Sequence, residues 1–231
     1  MIKEIINKLN SELPATVKLV AVSKFHPFEA IEEAYEAGQR IFAESRPQEL
    51  LAKIKRLEEI RAERGEPEYM SDMEWHFIGH LQTNKLKMVL PYVSLVQSVD
   101  SVRLLEAVNA WGSSNEKVIN VLLEPHVAAE ETKQGFAPEE ITQILVDAGK
   151  GKYPNIRFAG IMGMATFTDD ESLIRSDFST IRKIYDSARS QCPAGSFAEL
   201  SIGMSDDYHI AIEYGSTMVR IGSMIFGIRQ Y

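Results

Sequence analysis

The sequence predicts a closed (β/α)₈ barrel, and three observations carry that expectation. Short apolar, β-branched runs alternate with segments of helical spacing along the whole chain. Strict alternation implies a parallel sheet with right-handed crossovers. Eight such units within 231 residues match a closed barrel better than an open sheet. No linker divides the chain, so residues 1–231 are expected to form a single domain. The competing open, doubly wound sheet lacks support, because no GxGxxG follows the first apolar run.

Each unit can be justified in order. After a charged opening helix, Lys18–Lys24 reads as the first buried strand. Pro27 then suits a first helical turn, Ile31, Ala34 and Tyr35 form one apolar face, and Gly38 closes the helix. Arg40–Glu44 is the second strand, and Leu50, Ile54, Leu57 and Ile60 stripe a charged helix over 48–64. A polar loop, 65–72, leads to the strand Trp75–Gly79 and a helix over 82–90. Ser94–Ser98 is the fourth strand; its helix carries Val102, Leu105, Val108 and Trp111. Val118–Glu124 is the fifth, with a helix opening at Pro138 and closing at Gly149. Arg157–Gly163, Phe197–Ser201 and Thr217–Ile221 complete the set, separated by helices over 172–189 and 207–214.

Composition narrows the function. A content of 45% hydrophobic and 25% charged residues is ordinary for a globular protein. One cysteine, Cys192, excludes an internal disulfide, and the charged start is not a signal peptide, so a cytoplasmic location is expected. No run of 18 apolar residues exists to span a membrane, and a net charge of −8 argues against nucleic-acid backbones. The expected partner is a small molecule.

Barrel chemistry resides at the C-terminal ends of the strands, and Lys24 falls at one of them. Either its ammonium reaches solvent past the strand, or it is a Schiff-base lysine that attacks an aldehyde or ketone. Glycine and hydroxyl residues are densest in Ser201-Ile-Gly-Met-Ser205 and in Gly222-Ser223-Met-Ile-Phe-Gly227, the loops that most often bind phosphate in such barrels. Asp206 and Asp207 would repel a phosphate if they faced it, and are expected to point away. Arg220, inside an apolar strand, needs an acceptor: a carboxylate such as Glu199 or Glu44, or a ligand. Together these groups suit an aldehyde-bearing aromatic phosphate, a description that pyridoxal 5′-phosphate (PLP) meets. His76 and His80 look like a metal pair by number, but Gly79 and the strand-to-loop reading put them off a common helix face and no third ligand cluster follows, so no metal is expected; His26, His126 and His209 read as structural or solvated.

On Ala21-Val-Ser-Lys24, His76-Phe-Ile-Gly-His-Leu-Gln-Thr-Asn-Lys85, Glu131-Thr-Lys133-Gln-Gly135, Gly160-Ile-Met-Gly-Met164, Leu200–Asp207 and Gly215–Gly222, the chain resembles the pyridoxal phosphate homeostasis proteins, from about Val20 to Arg229. These look like the barrel domain of alanine racemase, the PLP fold type III, without its second domain. The resemblance implies PLP as an internal aldimine on Lys24, Arg220 at the pyridine nitrogen, and Ser205, Gly222 and Ser223 at the phosphate. Met204 and His76, in the same motifs, are further expected cofactor contacts. It also implies a monomer that stores PLP or delivers it to PLP-requiring enzymes, and balances vitamin B6 and amino-acid pools without established turnover. A weak amino-acid racemase or transaminase is the enzymatic alternative, and a Schiff-base aldolase needing no PLP is a third. One departure stands out: where the family shows Gly-Glu-Asn, this chain has Ala43-Glu44-Ser45, and the serine lacks the amide.

Overall fold

The computed structural model describes residues 1–127 and 135–227, and its eight strands close into a parallel barrel in chain order. The strands are β1 (Lys18–Val22), β2 (Ile41–Glu44), β3 (Glu74–Phe77), β4 (Leu95–Val99), β5 (Ile119–Leu123), β6 (Ile156–Met162), β7 (Glu199–Ser201) and β8 (Met218–Ile221). Closure comes from β1 against β8, with Val20 opposite Arg220 and Ala21 opposite Ile221. The helices α1 (Ile2–Glu12), α2 (Phe28–Glu36), α3 (Pro47–Arg64), α4 (Leu86–Val89), α5 (Val102–Ser114), α6 (Pro138–Gly149), α7 (Glu171–Arg189), α8 (Tyr208–Glu213) and α9 (Ser223–Phe226) complete the described residues, with a 3₁₀ turn at Thr83–Lys85 before α4.

The period-2 alternation of each strand sorts its side chains into two cores. Outward residues such as Leu19, Ala21, Phe42, Trp75, Phe77 and Val96 meet the helices in the larger one. Inward residues Val20, Val22, Ala43, Leu95, Leu122, Met162 and Met218 fill the lumen. Local chemistry agrees with the helix ends: Pro47 opens α3, Gly65 closes it in the left-handed region at φ 67°, and Ser101 caps α5 by accepting from Leu104 N.

All eight expected strands form, with boundaries shifted by a residue or two. The shift matters at β1, which ends at Val22, so Lys24 lies in the turn that follows rather than in the strand. Among the described residues no helix is long and apolar enough to cross a membrane.

Candidate functional site at the C-terminal mouth of the barrel

The turn carrying Lys24 is held from outside the barrel by an ionic cluster. Phe25 takes a left-handed conformation, φ 68°, which is costly for a non-glycine residue and persists only when its surroundings enforce it. The enforcement comes from both sides of Lys24. Lys53 Nζ, on α3, donates to Ser23 O at 2.8 Å, and Phe25 N donates to Glu49 Oε1 at 2.5 Å. Lys53 also pairs with Glu49 at 3.0 Å and with Glu44 at 2.5 Å, and Ser23 Oγ donates to the same Glu44 oxygen at 2.6 Å. Glu44 is fully buried, and that burial pushes its carboxyl above the usual range while Lys53 and Ser23 pull it back. Its second oxygen, Oε2, is buried without a hydrogen bond.

Arg220, on β8, points into the lumen and is 4% exposed. Its acceptors are neither Glu199 nor Glu44: Nη1 donates to Ser201 O at 2.7 Å and Ser201 Oγ at 2.8 Å, and Nη2 donates to Gly163 O at 2.9 Å. Those partners are neutral, so desolvation lowers its pKa to about 10, partly opposed by the more distant Glu124 and Asp207. The guanidinium is still charged at neutral pH.

Two loops face Lys24 across β1 and β8. The first turns at Gly203, φ +97°, whose carbonyl accepts from Arg220 N at 2.9 Å. Asp207 points back into this turn, accepting from Met204 N at 2.6 Å, but Asp206 lines the cavity, contrary to the expectation that both acids turn away. The second loop runs through Gly222 into α9, whose opening N–H groups at Ser223 and Met224 precede any intrahelical acceptor. A Cβ at Gly222 would approach Val22 O to 3.1 Å, so glycine lets the two strand ends lie close. Among the described residues the hydroxyls of Ser205 and Ser223 make no hydrogen bond.

Between these elements lies a cavity of about 300 Å³, at the small end of ligand pockets. Lys24, Arg220, Met204, Ser205, Gly222 and Ser223 all line it. His76 does not. It lies deeper in the lumen, 3% exposed, bonded to Gln97, and lines a separate cavity at the N-terminal end of the barrel. The reason is positional: inward positions descend from Ile78, just past the end of β3, at the upper cavity to His76 one layer below. Position 45 does not line the cavity either; its carbonyl lies where a Cβ on Gly79 would sit, 2.0 Å away. The Glu131–Lys133 part of the motif set lies outside the described residues, as does Arg229.

Sequence reasoning missed several neighbours. His26 lines the cavity, stacked on Phe226 at 5.2 Å, and burial and Lys53 lower its pKa. Ile78, Met162, Met164 and Phe167 provide an apolar side. The Glu44–Lys53–Glu49 cluster had a readable signal: Lys53 interrupts the Leu50–Leu57 apolar stripe at helical spacing, where an ammonium needs a buried anion.

The family profile described as "Alanine racemase, N-terminal domain" matches residues 1–230. The pyridoxal phosphate homeostasis protein of Aquifex aeolicus is 35% identical over 93% of this chain and 88% of its own. The chain belongs to the pyridoxal phosphate homeostasis proteins. A human protein of that name is 37% identical, over 100% of this chain and 83% of its own. Among solved structures, PipY of Synechococcus elongatus with PLP bound is 31% identical, superimposes with a TM-score of 0.85, and is covered over 98% of this chain and 100% of that one. The fold is that of the alanine racemase N-terminal domain, as its resemblance to the family implied.

Proposed function

We propose that this protein binds PLP in the cavity between Lys24 and the loops after β7 and β8, and acts in keeping intracellular PLP and amino-acid pools balanced. The observation that carries the reading is the convergence, in one cavity of about 300 Å³, of an amine, a buried guanidinium and two hydroxyls without hydrogen bonds among the described residues. That donor set fits the group: an amine for an aldehyde, a fixed cation for a ring nitrogen, and hydroxyls with helix-opening N–H groups for a phosphate. When bound, PLP supplies an aldehyde carbon and a ring whose electron demand depends on what faces its nitrogen. Lys24 is the amine that holds it as a Schiff base. Ser205, Ser223 and the backbone at Gly222 hold the phosphate, with Met204 alongside.

A carrier or regulator is favoured over an enzyme by the state of Arg220. It has only protons to donate, so a ring nitrogen facing it accepts a hydrogen bond and stays unprotonated, which weakens the ring as an electron sink. Racemisation would also need a second acid or base opposite Lys24; besides Lys24 and Arg220, the titratable groups lining the cavity among the described residues are His26 and Asp206. The same reading takes residues 1–231 as one cofactor-binding domain, monomeric and cytoplasmic, that can pass PLP to recipient enzymes.

The test is an absorbance titration of the purified protein with PLP, then borohydride reduction and peptide mass mapping. A new band with the reduced adduct on Lys24, absent in Lys24→Ala, is the expected result. A protein that stays colourless overturns the reading, and steady turnover of L- or D-alanine, lost in Lys24→Ala, would replace it with a weak racemase or transaminase.

A further inference from the structure

Four polar residues cross the barrel lumen in one hydrogen-bonded file. They come from β8, β7, β4 and β3: Arg220, Ser201, Gln97 and His76, each 4% exposed or less. The direction of every bond follows from donor chemistry. A guanidinium can only donate, so Ser201 Oγ accepts from Arg220 Nη1 at 2.8 Å and turns its own proton to Gln97 Oε1 at 2.7 Å. The amide nitrogen of Gln97 then faces two acceptors, His76 Nδ1 at 2.9 Å and Met218 Sδ at 4.0 Å. His76 must therefore carry its proton on Nε2, and its burial, which lowers its pKa to about 4, keeps it neutral. Turning the amide over would set its carbonyl against the Met218 sulfur and its nitrogen against Ser201 Oγ, which already accepts from Arg220 and whose proton would then lose its acceptor. The file has one polarity, running from Arg220 to His76.

Such a file is expensive in a lumen otherwise filled by Val, Leu, Ala and Met, where apolar side chains would fill the same space without buried polar atoms. Its effect is local to Arg220. Two of the three guanidinium bonds go to backbone carbonyls, which fix the plane of the fork; the bond to Ser201 Oγ is the one a side-chain change can reach.

We propose that Ser201 and Gln97, backed by His76, are positioning residues that orient the Arg220 guanidinium toward the cofactor ring. This rests on the reading that Arg220 faces the ring nitrogen of PLP. None of the three lines the Lys24 cavity, so they act through Arg220 rather than on the cofactor.

The experiment compares Ser201→Ala and the volume-conserving Gln97→Met with wild type and with Arg220→Gln, by three readouts. These are PLP affinity, the absorption band of the bound cofactor with its pH midpoint, and the ¹⁵N signals of His76 in the protein without PLP. Loss of one internal bond should weaken PLP binding about fivefold in each variant and move the band and its midpoint in the direction of Arg220→Gln, by less. In Ser201→Ala the His76 signals should shift although Ser201 does not touch that ring. Wild-type spectra and affinities in both variants, beside an altered Arg220→Gln, overturn the inference and leave the cofactor reading intact. A wild-type spectrum in Arg220→Gln as well removes the ring-nitrogen placement, and the positioning role with it.

Discussion

The barrel has a cavity at each end, about 300 Å³ at the C-terminal mouth and about 360 Å³ at the N-terminal one, and the two differ in how their polar groups are matched. At the N-terminal end, Lys18 pairs with Glu199, which also accepts from Thr217 Oγ1 at 2.8 Å. Glu74 accepts from Ser94 Oγ at 3.1 Å, and Asn120 donates to Ser94 O at 2.9 Å. Most of the groups there satisfy one another, and Arg157, exposed at the rim, is left to solvent among the described residues. At the C-terminal mouth, the seryl hydroxyls face open volume, Arg220 meets no carboxylate among the described residues, and the backbone is bent through Phe25 and Gly203. Volume does not distinguish a ligand site from the end of a barrel; polar groups left for something else to satisfy do.

That contrast can be attacked from either end, and the largest effect belongs to the support of the C-terminal turn. Lys53→Met leaves the carboxylate of Glu44 buried without its cation, and should lower stability by about 3–5 kcal/mol in chemical denaturation. Adding Glu44→Gln should recover much of that loss; equal instability of the double variant would mean that packing of the lysine stem, not charge, sets the cost.

The next effect belongs to the N-terminal end. His76 is held at a pKa of about 4, below its unfolded value, so between pH 6.5 and 4 the unfolded chain binds a proton that the folded chain refuses. Its contribution is complete above pH 6.5 and is lost as the pH falls toward 4. Wild type should therefore lose about 3 kcal/mol more than His76→Leu over that interval, measured as the difference between their pH–stability curves. Parallel curves would show that the imidazole titrates normally and is not sealed in the lumen.

The smallest effect concerns the loops. Ser205→Ala and Ser223→Ala should each weaken PLP retention by about 1–3 kcal/mol, the worth of one charge-assisted bond, with unchanged thermal stability. Unaltered affinity in both would move the phosphate elsewhere on the mouth.

Much of the architecture was legible because strand and helix periods repeat so regularly that β1 through β8 announce themselves from Lys18 to Ile221. Lys24, Arg220, Ser205 and Ser223 were legible for another reason: a charge or hydroxyl at the end of an apolar run is conspicuous. What could not be read was which layer of the lumen a residue occupies. His76 shares a motif with the mouth residues, yet strand tilt sets it one layer down, and no local spacing records tilt. Two of the three acceptors of Arg220 escaped for a related reason, since Gly163 and Ser201 contribute carbonyls, and backbone atoms leave no mark in a sequence.

The pairing of β1 with β8 has a consequence for how the protein is made. Lys24 emerges from the ribosome 196 residues before Arg220. The first strand must wait for its neighbour until β8 has been made, so the site forms only once both ends of the barrel are present. A chain halted before Met218 has its lysine but lacks the eighth strand, the guanidinium and the second loop, and abandoned translation products should bring no cofactor down with them.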